Sequence, residues 1–114
     1  MKIKKWSLLS IASVVISVLM SPHASAATDA EIDKMTTYAV ILGRATGCGF
    51  DVTAASHRVG KWMDQVFPPG STDQQVYLPI FVDGMAYHAQ QQISGKSPDS
   101  CSSLRRTFDS MPWP

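Results

Sequence analysis

Thr28 to Gly49 read TDAEIDKMTTYAVILGRATGCG, and this stretch decides the fold. Thr28-x-x-Glu31 has the form of a capping box, in which the Thr hydroxyl accepts from the backbone three residues on and the Glu side chain reaches back. Ile32, Met35, Ala39, Leu42 and Thr46 then recur at spacings of three and four, and Tyr38, Ile41, Ala45 and Cys48 widen the stripe. That period predicts an amphipathic helix over 29–46 with a broad buried face. Ala39, Gly43 and Gly47 recur every four residues and form a groove of small residues that another backbone can approach closely. We assign Gly43 to such a contact within the chain in preference to a dimer. Gly47 is assigned to the helix end, where glycine commonly supplies a left-handed cap.

Three more helical segments follow. From Asp51 or Thr53 to Phe67, the residues Val52, Ala55, Val59, Trp62 or Met63, and Val66 share one face. His57, Arg58, Lys61 and Asp64 point elsewhere, with Lys61 and Asp64 spaced to pair. Phe67-Pro68-Pro69-Gly70 stops this helix, because neither proline can continue it. Ser71-x-x-Gln74 is a second capping box and opens a third helix to about Ile93. Val76, Tyr77, Ile80, Phe81, Gly84, Met85, Tyr87 and His88 supply its apolar side, and Pro79 inside it predicts a kink or short break near Leu78. Ser97-Pro98-Asp99 offers an N-cap, a first-turn proline and a first-turn acid for a fourth helix. Cys101, Leu104 and Phe108 line one face of it, and Met111-Pro112-Trp113-Pro114 follows as an extended tail. No segment alternates with period two. The fold class expected is all-α: a small four-helix domain, its third helix kinked at Pro79, with one disulfide.

Ahead of this domain Lys2, Lys4 and Lys5 precede an uncharged apolar run over 7–20, followed by Pro22 and Ala24-Ser25-Ala26. A basic start, a short apolar run and an A-x-A site make an export signal, and the run is shorter than the ~20 residues needed to span a bilayer. The expected organisation is a signal peptide over 1–26 and a helical periplasmic domain over 27–114, with no stable membrane insertion after cleavage. The remaining 88 residues keep seven basic and nine acidic side chains, a net charge of −2. That balance argues against nucleic acid as a partner. Cys48 and Cys101 are the only cysteines. An even count in a small exported domain reads as a disulfide, and no C-x-x-C points to redox chemistry.

Chemistry is harder to find. His57 and His88 are the only histidines after the leader, with neither H-x-x-x-H nor H-E-x-x-H spacing, so no metal site is expected. Gly43 to Gly49 is glycine-rich but lacks the order of a phosphate-binding loop, and no G-x-S-x-G is present. The chain is therefore expected to be neither an enzyme nor a cofactor carrier. Trp113 stands between Pro112 and Pro114, either as a plug on the bundle or as a partner contact, and burial of its large apolar ring favours the plug. The segments named as possible partner contacts are Phe67, Pro68, Pro69 and Gly70, and Pro112, Trp113 and Pro114.

The leader, the helical domain and the single Cys48/Cys101 pair together resemble the small two-cysteine periplasmic accessory proteins of bacterial conjugation and type IV secretion loci. The resemblance is one of architecture, and no motif carries over residue by residue. It implies a non-enzymatic role through contact with another periplasmic or envelope protein, in an oligomeric state left open. The same architecture resembles acid-stress periplasmic chaperones, whose charge switch nine mostly isolated acids match poorly, and periplasmic immunity proteins that inhibit cell-wall hydrolases.

Overall fold

The computed structural model describes residues 26–114. The basic start and apolar run that read as an export signal lie outside the described residues. Four helices follow in order: α1 (Asp29–Gly47), α2 (Thr53–Val66), α3 (Thr72–Ile93) and α4 (Cys101–Ser110). Among the described residues there is no strand.

α1 is the central element, against which α2, α3 and α4 all pack. It starts as its sequence dictates: Glu31 N–H donates to Thr28 Oγ1 at 3.1 Å, and Thr28 N–H donates to Glu31 Oε1 at 2.9 Å. Met35, Tyr38, Ala39, Leu42 and Ala45 are all buried on it. One cluster joins Met35, Tyr38 and Leu42 to Ala55, Val59 and Met63 of α2, to Phe67 just past its end, and to Phe81 of α3. A second joins Ile41 and Ala45 to Leu104 of α4.

Gly47 departs from expectation. The helix runs through it, and the left-handed residue that ends α1 is Gly49, at φ +80°. There Phe50 N–H donates to Ala45 O at 3.0 Å. A Cβ at Gly47 would lie 2.7 Å from both Ala89 O and Gln92 Cβ, and one at Gly43 would lie 2.5 Å from Met85 O. Both glycines thus floor the groove in which α3 lies against α1, as Gly43 alone was expected to do.

α3 passes through Pro79 as one unbroken helix, without the break considered near Leu78. Pro79 is exposed, so the carbonyl that its missing N–H leaves unpaired, that of Gln75, can turn to water. The Ser71 box closes in altered form. Gln74 N–H donates to Ser71 Oγ at 3.1 Å, but Gln74 Oε1 accepts from Gly70, one residue further back.

The fourth helix begins three residues later than the Ser97 cap predicts, with Ser100 as N-cap accepting from Ser103 N–H at 3.1 Å. Asp99 is drawn away from the helix by Arg44 of α1, whose Nη1 donates to Asp99 Oδ2 at 2.7 Å. The Cys48–Cys101 disulfide ties the end of α1 to the first residue of α4. Lys61 and Asp64 do not form an ion pair: among the described residues the ion pairs are Arg44–Asp99 and Arg105–Asp109.

Candidate functional site

The two segments singled out in the sequence are divided by the fold into buried anchors and exposed prolines. Phe67 is fully buried and serves as an anchor beneath the surface. Its ring stacks on Tyr77 at 5.3 Å and meets Trp62 at 6.1 Å. Pro68, Pro69 and Gly70 are exposed beyond it, with Gly70 at φ +82° making the reversal into α3. Trp113 is the plug. Its ring lies 5.6 Å from Tyr38 and 5.4 Å from Phe108, and its Nε1 donates to Phe108 O at 3.3 Å. Arg58 fastens the tail, donating from Nε to Pro114 O at 2.7 Å and from Nη2 to Trp113 O at 3.0 Å. Pro112 and Pro114 remain exposed.

These anchors belong to one run of rings. Phe50, Phe108, Trp113, Tyr38, Trp62, Phe67 and Tyr77 follow one another at centroid distances between 5.3 and 6.1 Å. Arg105 closes one end, its guanidinium 3.8 Å from the Phe50 centroid.

The surface that sequence reasoning missed is on α3. Its contact with α1 is close but narrow, because the groove is floored by Gly43, Gly47 and Ala39, the last with its Cβ 3.5 Å from the position a Gly84 Cβ would take. Of the 22 residues in α3 only Phe81 is buried. Tyr77, Met85 and His88 are half-buried. Val76, Ile80 and Tyr87, expected on the packed side, are 48%, 53% and 59% exposed. On the opposite flank Leu78, Val82 and Ile93 are 42%, 49% and 66% exposed. At 100° per residue the first three fall within a 40° arc, and the second three within a 60° arc on the far side. Soluble helices normally confine apolar residues to one stripe, and no other described element covers these flanks. The signal was present in the sequence: apolar residues surround α3 on all sides, and Asp73 and Asp83 are its only charges.

A groove of about 370 Å³ runs between α2 and α3, with Phe81, Met63 and Phe67 at its base and Leu78 and Val82 along its α3 wall. His57, Lys61 and Asp64 stand on its α2 rim. Gly60 lies between them, inside a helix, where glycine costs about 1 kcal/mol relative to Ala. A Cβ at Gly60 would meet nothing within 4 Å. No intramolecular contact therefore requires glycine there, and its position leaves the α2 backbone open to close approach from outside.

A polar cluster lies at the other end of α3. His88 is held below the ordinary imidazole range, first by burial and then by the Arg44 charge. Gln92 Nε2 donates to Asp99 O at 3.0 Å, and Arg44 Nε and Gln92 Oε1 are buried without a partner. This cluster ties α1, α3 and the approach to α4 together. Exposed Asp51 is held below the usual carboxylate range by the Thr53 N–H and hydroxyl at the start of α2. Among the described residues no three His, Cys, Asp or Glu side chains are grouped to hold a metal ion, and no helix is long and apolar enough to cross a membrane.

The site is thus an open apolar helix flank with a groove beside it, formed by an all-α, disulfide-linked chain, and comparison with family models, curated proteins and solved structures finds no match for that chain.

Proposed function

We propose that this chain is an exported, non-enzymatic protein that works by protein–protein contact, as an accessory to an envelope secretion or conjugation assembly. Its contact surface is the open side of α3 together with the α2–α3 groove. The observation that carries this reading is the exposure of Val76, Leu78, Ile80, Val82, Tyr87 and Ile93 on a single helix. Six large apolar side chains left open on one helix, in two strips along its flanks, mark an interaction site. The partner that suits it is an amphipathic helix of another envelope protein, its anchors at helical spacing along the groove and its backbone passing closest at Gly60. Export accounts for the disulfide and for the leader sequence.

The test is co-purification from the envelope fraction after crosslinking, comparing wild type with Ile80→Asp and Val82→Asp. A single stoichiometric partner, lost in both variants while helicity and thermal stability stay unchanged, is the expected result. Capture that ignores both substitutions overturns the surface. Turnover of a peptidoglycan or ester substrate that is abolished by changing His57 or His88 overturns the non-enzymatic reading. A chaperone role draws on the same exposed apolar residues. Protection of aggregating client proteins at about pH 2–3, with no stoichiometric complex, would replace the accessory role with that one.

A further inference from the structure

Ala27 stands immediately after Ala24-Ser25-Ala26 and packs against the main core cluster. Its backbone nitrogen donates to Asp73 Oδ2 at 2.8 Å, a contact that spans 46 residues of sequence. Asp73 occupies the first turn of α3. It does not cap that helix, because Ser71 does. Neither of the ion pairs among the described residues involves it. A half-buried acid is therefore aimed at a main-chain nitrogen that is neutral for as long as Ala26 is attached.

We propose that Asp73 is a binding site for the amino terminus created when the leader is removed between Ala26 and Ala27. Hydrolysis of that peptide bond consumes one water, leaves a carboxylate on Ala26 and leaves an ammonium on Ala27. The nitrogen already placed 2.8 Å from Asp73 Oδ2 becomes a cation at the separation typical of charged N–H···O pairs. Processing then converts a neutral hydrogen bond into an ion pair that fixes the start of the chain to the start of α3. The next possible terminus differs, because Thr28 N–H is held by Glu31 Oε1 at 2.9 Å.

The charged groups on the elements that meet here are mostly acidic: Asp29 and Glu31 at the start of α1, Asp73 on α3, and Asp64 on α2, which accepts from Gln74. Of the cations on those elements, Arg44 pairs with Asp99, Arg58 holds the tail carbonyls, Lys34 lies 6.0 Å from the Trp62 ring, and Lys61 stands on the groove rim. The site therefore favours the ammonium over the amine. The tie is complete below the ordinary α-amino value of about 8 and is lost as pH rises through the raised folded value. This inference rests on the export part of the proposed function and is independent of the α3 contact surface.

The experiment expresses the full chain, recovers the exported form and reads two quantities. Intact mass is expected to correspond to residues 27–114. A chain exported but cut elsewhere overturns the capture while leaving export standing, and a chain that keeps its leader overturns both. Titration of the terminal amine, followed by NMR in the folded protein, is expected to show a pKa at least one unit above that of Asp73→Asn, a tenfold change in the ammonium-to-amine ratio. Equal values in the two proteins overturn the proposal. If Asp73→Asn does not fold, the wild-type value decides alone: one within the ordinary range of about 7.7–8.0 overturns it.

Discussion

Two glycines inside helices carry opposite meanings, and a single added methyl separates them. Gly43→Ala places a Cβ 2.5 Å from the Met85 carbonyl, a backbone atom that cannot swing aside, so α1 and α3 must part. Overpacking of this kind costs about 1–3 kcal/mol, and chemical denaturation of the variant should show that loss. Gly60→Ala meets nothing and removes the helix penalty of glycine, so the isolated protein should gain up to about 1 kcal/mol. The same change should weaken partner binding, since it fills the position of closest approach in the groove. A variant that is more stable and binds equally well would show that Gly60 has no such role. His88 gives a pH dependence at the same scale. Its imidazole is held low by burial and by Arg44, so the unfolded chain takes up the proton first as pH falls. Its contribution is present above about pH 6.5 and is lost as pH falls through the lowered folded value. Denaturation midpoints should drop between pH 7.5 and 5.5, and His88→Gln should flatten that slope. A slope unchanged in the variant would assign it elsewhere. Exposed Asp51, whose carboxyl is also held low, keeps its contribution above the ordinary carboxylate value of about 3.9 and loses it only as pH falls below that, outside this window.

At the scale of elements, the four helices were legible because caps and periodicity are local. The Thr28 box, the Phe67–Gly70 stop and the Ser71 cap depend on residues three or four apart and stand where the sequence puts them. Failures occurred where distant residues competed for a local group. Asp99 reads as a first-turn acid until Arg44, 55 residues away, takes it and moves the start of α4 to Cys101. Gly47 reads as a cap until α3 lies across it. The candidate site was half legible: the proline segments are exposed, but their aromatic neighbours Phe67 and Trp113 are anchors. Val76, Ile80 and Tyr87 read as inward-facing because nothing local reveals how narrow the glycine groove is. Pro79 provides a test on this element. It sits exposed in mid-helix without an N–H to donate. Pro79→Ala should restore that hydrogen bond and raise stability by about 2 kcal/mol, taking the ~3 kcal/mol helix penalty less the ~1 kcal/mol that proline saves in the unfolded chain. An unchanged melting temperature would mean that α3 has already adapted to the ring.

For the whole molecule, α1 acts as the hub, and α4 buries only Leu104 against it. The disulfide compensates by closing a 53-residue separation, worth about 4 kcal/mol in the chain-entropy view. Small domains have a net stability of only about 5–15 kcal/mol, so Cys48→Ser with Cys101→Ser should lose a large share of it. Cys101 is exposed, so a mild reductant should produce the same loss in the wild type. Full stability after reduction would place the strength of the fold in its packing alone. The run of seven rings has a further consequence. Trp62 and Trp113 are the two tryptophans among the described residues, and both touch Tyr38. Excitation absorbed at Tyr38 has a tryptophan ring on either side to receive it, and the fixed angles between rings impose a chiral near-ultraviolet signature. The molecule therefore carries its own optical gauge: detachment of the tail should change emission and near-ultraviolet dichroism while the far-ultraviolet helical spectrum stays almost still.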